Sequence, residues 1–153
     1  MSRQNQDSIH ALAVPTGVGV LLVPSATIAE VVNMMTLAPI PLASPWLLGA
    51  VSWRSLAVPV VSFEALLGKP PLAPAPTSKA IVFYPLTGRS QWEFFAILSS
   101  AEPRPQPVDA SAIAVAPVDL PQSPYIAAGL KVGTGQAMWI PHFDALKQVF
   151  YPV

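Results

Sequence analysis

The sequence contains no cysteine, which removes disulfides, thiolate-bound zinc and a cysteine nucleophile from consideration. Charge is nearly as scarce: eight Lys and Arg balance eight Asp and Glu, for a net charge of zero over 153 residues. A basic face cannot be assembled from so few scattered cations, so no nucleic-acid partner is expected. Uninterrupted apolar runs are missing as well. Residues 11–29 and 31–53 carry no charge, but Pro15, Gly17, Gly19 and Pro24 break the first and Pro39, Pro41 and Pro45 break the second. A membrane-spanning helix needs about 20 residues with its backbone bonds closed internally, and proline removes donors from that ladder. No direct membrane insertion is therefore expected. The opening residues are a poor secretion signal, because Arg3 is offset by Asp7, Pro15 interrupts the apolar stretch and no small-x-small cleavage site follows. The expected location is the cytoplasm.

What is abundant is apolar residue (52%) and proline (19 residues), in a chain of the size of one domain or two small subdomains. Short valine- and isoleucine-rich runs separated by turn residues predict strands at 17–23, 27–32, 46–54, 56–61, 79–84, 92–99, 113–118, 125–132 and 136–140. Residues 1–10 are polar and are expected to fray. Turns are predicted in "PLTGRS" between the strands at 79–84 and 92–99, and in "GTG" ahead of Gln136. "SFEALLG" predicts one helical turn with Ser62 as N-cap and Gly68 as its stop, and "HFDALKQVF" predicts a last helix. The proline-rich segment 69–78 reads as a connector between halves. Many short strands point to small barrels or a sandwich rather than to βαβ units.

Two stretches echo each other. "SPWLLGAVSWRSLAVPVVSFEAL" (44–66) and "SPYIAAGLKVGTGQAMWIPHFDAL" (123–146) both begin Ser-Pro-aromatic, pass a glycine (Gly49, Gly129) and a proline (Pro59, Pro141), and end Phe-acid-Ala-Leu. The order predicts a strand–turn–strand–helix unit used twice, within about 15–70 and 125–150 of a single domain that spans 1–153.

Motifs of catalysis are absent. His10 and His142 have no partner at metal-ligand spacing, and His142 suits a helix cap. The carboxylates Glu30, Glu64, Glu93, Glu102, Asp109, Asp119 and Asp144 form no recognisable set, and no serine lies in a G-x-S-x-G turn. "GTGQ" lacks the Lys-Ser/Thr ending of a phosphate loop. No catalytic residue, no metal site and no cofactor is expected, and the chain does not read as an enzyme. One residue stands out: Arg54 is the only charge between Glu30 and Glu64. It either orients a partner from an apolar surface or caps a strand end in an ion pair with Glu30 or Glu64. Trp53 beside it could pack on the guanidinium.

From Val18 to Gly68 the chain resembles the CheW-like domain, the coupling-protein fold of bacterial chemosensory systems. Ile28-Ala29-Glu30-Val31 matches a "V-x-E-I" strand. Within Pro45 to Phe63, the stretch from Gly49 follows the pattern G-h-h-x-h-R-G-x-h-h-P, with Gly49, Arg54 and Pro59 in register and Pro45 four residues ahead of the glycine. "KAIVFY", "FFAILSS" and "YIAAGLKVGTGQAMWIPHFDALK" match the second half in order. The resemblance implies a mainly β fold of two SH3-like, five-stranded β-barrel subdomains around a shared hydrophobic core, with short helices. It implies a non-catalytic adaptor joining the cytoplasmic tip of a methyl-accepting chemoreceptor to a histidine autokinase of the chemotaxis type. Carried over residue by residue, it assigns partner contact to Arg54, Glu30, Gly49 and Ile28. The chain departs from the pattern at Ser55 (usually Gly), Ser62 (usually Asp) and Ser99-Ser100 (usually Val-Asp). Such divergence is similar to accessory members of pilus-linked clusters, which implies control of type IV pilus (twitching) motility. The competing expectation is a small β-barrel ligand-binding protein or enzyme that uses an apolar interior pocket.

Overall fold

In a computed structural model of the chain, residues 8–34, 37–85, 91–109, 113–114, 123–132 and 137–150 are described. Among them the strands are β1 (Ser8–Ile9), β2 (Ala11–Pro15), β3 (Val20–Pro24), β4 (Ile28–Asn33), β5 (Leu47–Trp53), β6 (Leu56–Val61), β7 (Lys79–Phe83), β8 (Phe95–Ser99), β9 (Arg104–Pro105), β10 (Val108–Asp109), β11 (Ile113–Ala114), β12 (Ile126–Val132) and β13 (Ala137–Pro141). The helices are α1 (Phe63–Leu66) and α2 (Phe143–Phe150). The fold is mainly β. The "PLTGRS" and "GTG" turns, the end of the strand expected at 113–118 and the first residues of the chain lie outside the described residues.

Two sheets divide the chain. One has the order β4-β7-β8-β6-β5; the other has the order β11-β12-β13-β3-β2-β9, with two-residue strands at both edges. Short β1 and β10 pair separately. In each large sheet a β-hairpin returns to lie parallel to an earlier or later strand: β6 beside β8 through Val60↔Ala96, and β13 beside β3 through Met138↔Val20. The second sheet therefore takes its strands from both ends of the chain.

Residue alternation explains how the sheets stack. Strands β7 and β8 are apolar on both faces and buried throughout apart from Lys79. Ile81, Phe83, Phe95 and Ile97 point into a core between the sheets, where they meet Val14, Leu21 and Val23 of the second sheet, Phe63 of α1 and Leu146 of α2. Ala80, Val82, Ala96 and Leu98 point the other way and close the inside of the first sheet with Val51, Trp53, Val58 and Val60. Ala11, Leu22 and Met138 of the second sheet form a smaller cluster with Val108 of β10. Period-2 side chains on a strand supply two faces, and here both are used.

The expected closed barrels are corrected. Edge strands β4 and β5 of the first sheet curl toward each other but share no ladder; a single bridge, Ala38↔Ala50, links the connector after β4 to β5. Pro39, Pro41 and Pro45 remove the donors that a continuing ladder would need. Among the described residues the second sheet ends in β11 and β9 and is likewise not closed. Strand β2 is an addition, unforeseen in the sequence reading; it pairs along its whole length with β3, from Ala11↔Pro24 to Pro15↔Val20.

α1 begins as expected. The Ser62 hydroxyl accepts from the Ala65 amide at 3.1 Å, and the Gly68 left-handed turn (φ 80°) follows. Glu64 in that helix turn is buried. Its Oε2 accepts from the Gly17 amide at 2.6 Å and its Oε1 from the Ser62 hydroxyl at 3.0 Å. Gly17 lies in the β2–β3 turn, so one carboxylate fastens the two subdomains together.

Candidate functional site

The β5–β6 hairpin ends in a two-residue loop, Arg54-Ser55, between the paired residues Trp53 and Leu56. Both loop residues have positive φ, 47° and 63°. That is the turn class whose twist suits a hairpin, and it favours glycine or asparagine. Arginine and serine here cost on the order of 1 kcal/mol each in backbone strain. The family's glycine after the arginine would relieve the second of these.

Around this tip a small polar cluster forms. Glu30, on β4, accepts at Oε1 from Trp53 Nε1 at 3.2 Å and from Arg54 Nη2 at 3.4 Å. The Arg54 guanidinium carbon sits 4.3 Å from the centroid of the Trp53 ring. Trp53 is buried and contacts Phe94 at 4.9 Å between centroids. The tryptophan is thus a fixed floor, and the charged pair lies on it. Arg54 keeps 60% of its side chain exposed and Glu30 keeps 46%. An exposed pair of this kind adds at most about 1 kcal/mol to stability, and the cation–π contact adds about 0.5–1 kcal/mol. The cluster holds two opposite charges and a guanidinium fork in one orientation at the surface.

The other site expectations land differently. Gly49 is buried in β5 with φ 147°, and a Cβ there would lie 2.6 Å from the Ala38 carbonyl oxygen. Its absent side chain lets the connector cross β5. Ile28 opens β4 and packs on the core between the sheets. A β-bulge between Ile28 and Glu30 puts the two out of the simple alternation that the motif implies. Glu64, the other partner considered for Arg54, is committed to Gly17 and Ser62. The structure brings Glu30 and Arg54 together through Trp53, whose hub position has only one sequence signal, its adjacency to Arg54.

His142 caps α2: its Nδ1 accepts from the Ala145 amide at 3.0 Å. His142 and Asp144 line an open depression of about 280 Å³ with Ala127, Pro141 and Phe143, and Glu30 is not in its wall. A second surface cleft, about 400 Å³, lies over the second sheet, where Glu102, Arg104 and Gln106 rim Ala13, Val20 and Met138. Among the described residues no cluster of His, Asp or Glu is suited to a metal ion, and no helix is long and apolar enough to cross a membrane.

A chain of two curled β-sheets sharing one core, each bearing a hairpin followed by a short helix, defines a two-subdomain β domain. The profile of the CheW-like domain matches residues 10–149, and the chain belongs to that family. The fold is similar to that of the scaffolding protein TtCheW from Thermoanaerobacter tengcongensis. That comparison has a TM-score of 0.72 at 16% identity, over 88% of this chain and 84% of the other. No curated protein matches the sequence.

Proposed function

We propose that the protein is a non-catalytic adaptor that couples a methyl-accepting chemoreceptor to a histidine autokinase of the chemotaxis type. Membership of the CheW-like family supports the class, and the similar fold of a scaffolding protein is consistent with it. The observation that carries the reading is the hairpin tip: an arginine held over a buried tryptophan by an acid, yet mostly exposed. Interface arginines act this way, with a pre-oriented fork that needs little ordering when a partner carboxylate or carbonyl arrives. Glu30 and Arg54 make the contact in this proposal, while Gly49 and Ile28 set the strand geometry behind it.

The test is a pull-down of the kinase and of the receptor's cytoplasmic fragment with Arg54→Glu and Arg54→Met. Arg54→Glu is expected to weaken binding at least about thirtyfold, a hot-spot loss of roughly 2 kcal/mol, with an unchanged circular dichroism spectrum. Arg54→Met keeps apolar packing on Trp53 and isolates the charge. Unchanged binding in both variants would remove Arg54 from the interface. For the output we propose type IV pilus motility, on the departures at Ser55, Ser62 and Ser99-Ser100. A deletion strain that twitches normally but swims abnormally would reassign it to the flagellum.

A further inference from the structure

The face of the second sheet that turns away from the shared core has no part in the adaptor reading. Ladder register sets Pro15 of β2, Val20 of β3 and Met138 of β13 side by side on it, because Pro15 pairs with Val20 and Val20 with Met138. Ala13 joins them two residues before Pro15 on the same strand. The face is apolar, while the opposite face of the same strands sends Val14 and Leu21 into the core. At one end this face is covered: Ala11, Leu22, Met138 and Val108 bury one another to 8% exposure or less. At the other end it opens as the cleft of about 400 Å³, floored by Ala13, Pro15, Val20 and Met138.

The wall of the cleft, from Ala101 to Gln106, is fixed in advance. The Ser100 amide donates to the Pro15 carbonyl at 3.0 Å, and the Gln106 amide donates to the Ala11 carbonyl at 2.8 Å. Between these ties β9 pairs with β2, and Pro103 and Pro105 restrict two φ angles. Arg104 stands opposite Ala13 in that ladder, so its side chain leaves the sheet on the side of the cleft. It is exposed and makes no ion pair among the described residues. Glu102 on the same rim is already paired with Lys79 at 3.6 Å. The charge left uncompensated at the rim is therefore the Arg104 guanidinium.

We propose that this cleft binds a small monocarboxylate with an apolar tail. The carboxylate takes the planar Arg104 fork in two parallel hydrogen bonds, and the tail lies on the row from Ala13 and Pro15 to Met138. Size sets the class, since small-molecule sites occupy about 300–1,000 Å³ and this cleft falls near the lower bound. Charge sets the head group: an anion answers Arg104, whereas an amine would meet a cation and find Glu102 engaged by Lys79. The apolar floor has no polar side chain to orient a sugar or a base. A bound acid bridges the segment that joins the two sheets to β3 and β13, so occupancy stabilises the fold. The inference stands apart from the adaptor reading and uses none of the residues at the Arg54 tip.

Hexanoate, titrated into the isotope-labelled full chain and followed by amide NMR, tests it. Saturable shifts are expected at Ala13, Val20, Arg104 and Met138, with a Kd of about 0.1–1 mM, together with a Tm that rises with hexanoate concentration. Three relatives of the probe isolate its parts. Acetate lacks the tail, hexanol lacks the charge and hexylamine reverses it, and each is expected to bind at least about tenfold more weakly. Arg104→Gln changes an exposed position and is expected to weaken hexanoate at least about tenfold with an unchanged circular dichroism spectrum. Ala13→Leu fills the floor and is expected to weaken it as much while leaving Arg104 in place. Absence of saturable shifts, equal binding of hexanoate and hexylamine, or hexanoate affinity that survives Arg104→Gln would each overturn the proposal. Kinase and receptor pull-downs are separate readouts, so a cleft that binds no acid leaves the adaptor reading untouched.

Discussion

In the first β–β–α unit the Ser62 amide donates to the Trp46 carbonyl at 2.8 Å; in the second the His142 amide donates to the Tyr125 carbonyl, also at 2.8 Å. Both hairpins shift register one residue after they begin, between Leu47 and Gly49 and between Ile126 and Ala128. Both helices open on a side chain that caps the amide three residues on, Ser62 for Ala65 and His142 for Ala145. The plan is the same, and the residues that fill it differ wherever the rest of the chain presses on one unit and not on the other. Gly49 and Ala128 occupy matching places in their ladders, but the connector after β4 crosses Gly49 so closely that a Cβ would strike the Ala38 carbonyl, whereas the second unit carries an alanine there. Glu64 and Asp144 occupy matching places in their helices, but only Glu64 is buried against a turn of the other sheet. A repeated frame can thus carry one glycine and one buried acid that the repeat itself does not require.

The largest break in this comparison is expected at Gly49. Gly49→Ala forces a Cβ onto the Ala38 carbonyl at an unfavourable φ and is expected to cost about 2–4 kcal/mol in urea unfolding. The matching change Ala128→Gly is expected to cost about 1 kcal/mol or less. Equal costs would mean that the crossing connector does not decide the glycine. Next comes the acid pair. Glu64→Ala leaves the Gly17 amide without its acceptor and is expected to lose about 2 kcal/mol, against less than about 1 kcal/mol for exposed Asp144→Ala. The smallest effect sharpens the comparison at the tip of the first hairpin. Ser55→Gly relieves a left-handed serine and is expected to gain about 0.5–1 kcal/mol, read as a rise in Tm. A loss on that substitution would mean that the Ser55 side chain has a role that the turn geometry does not explain.

Much of this was legible in residue order, and the exceptions have physical causes. The strands at 46–54, 56–61 and 79–84 follow from β-branched runs between turn residues, and Ser62 and Gly68 bracket α1 as their types dictate. The family pattern located Glu30 and Arg54, and the structure pairs them. Matching the repeats by Gly49 with Gly129 and Pro59 with Pro141 fails, because the ladder sets Ala128 opposite Ile140 and gives Pro141 the place that Val61 holds in the first hairpin. Composition cannot count hydrogen bonds across a ladder. Strand β2 was hidden because its partners are settled by tertiary pairing and its short Ala-Leu-Ala-Val-Pro run has no strong period. Closure of the barrels was overestimated because it depends on whether two edge strands meet, which proline in the connector prevented. Burial of Glu64 gave no signal, since an acid early in a helix ordinarily faces water.

The division of strands between the sheets has a consequence for how the protein is made. The first sheet draws on one continuous stretch, β4 to β8, whereas the second joins Val20 and Leu21 to Met138 and Trp139. On a ribosome the first sheet has all its strands once Ser99 has emerged. β3 must wait for its ladder neighbour, and the core around Val14, Leu21 and Val23 for Ile126 and Leu146, until the last strands and α2 are synthesised. Contacts so distant in sequence form slowly and leave apolar surface open to chaperones or to aggregation in the interval. Completion of the second sheet is therefore the expected slow step of folding, and pulsed hydrogen exchange that protects β3 before β8 would contradict it.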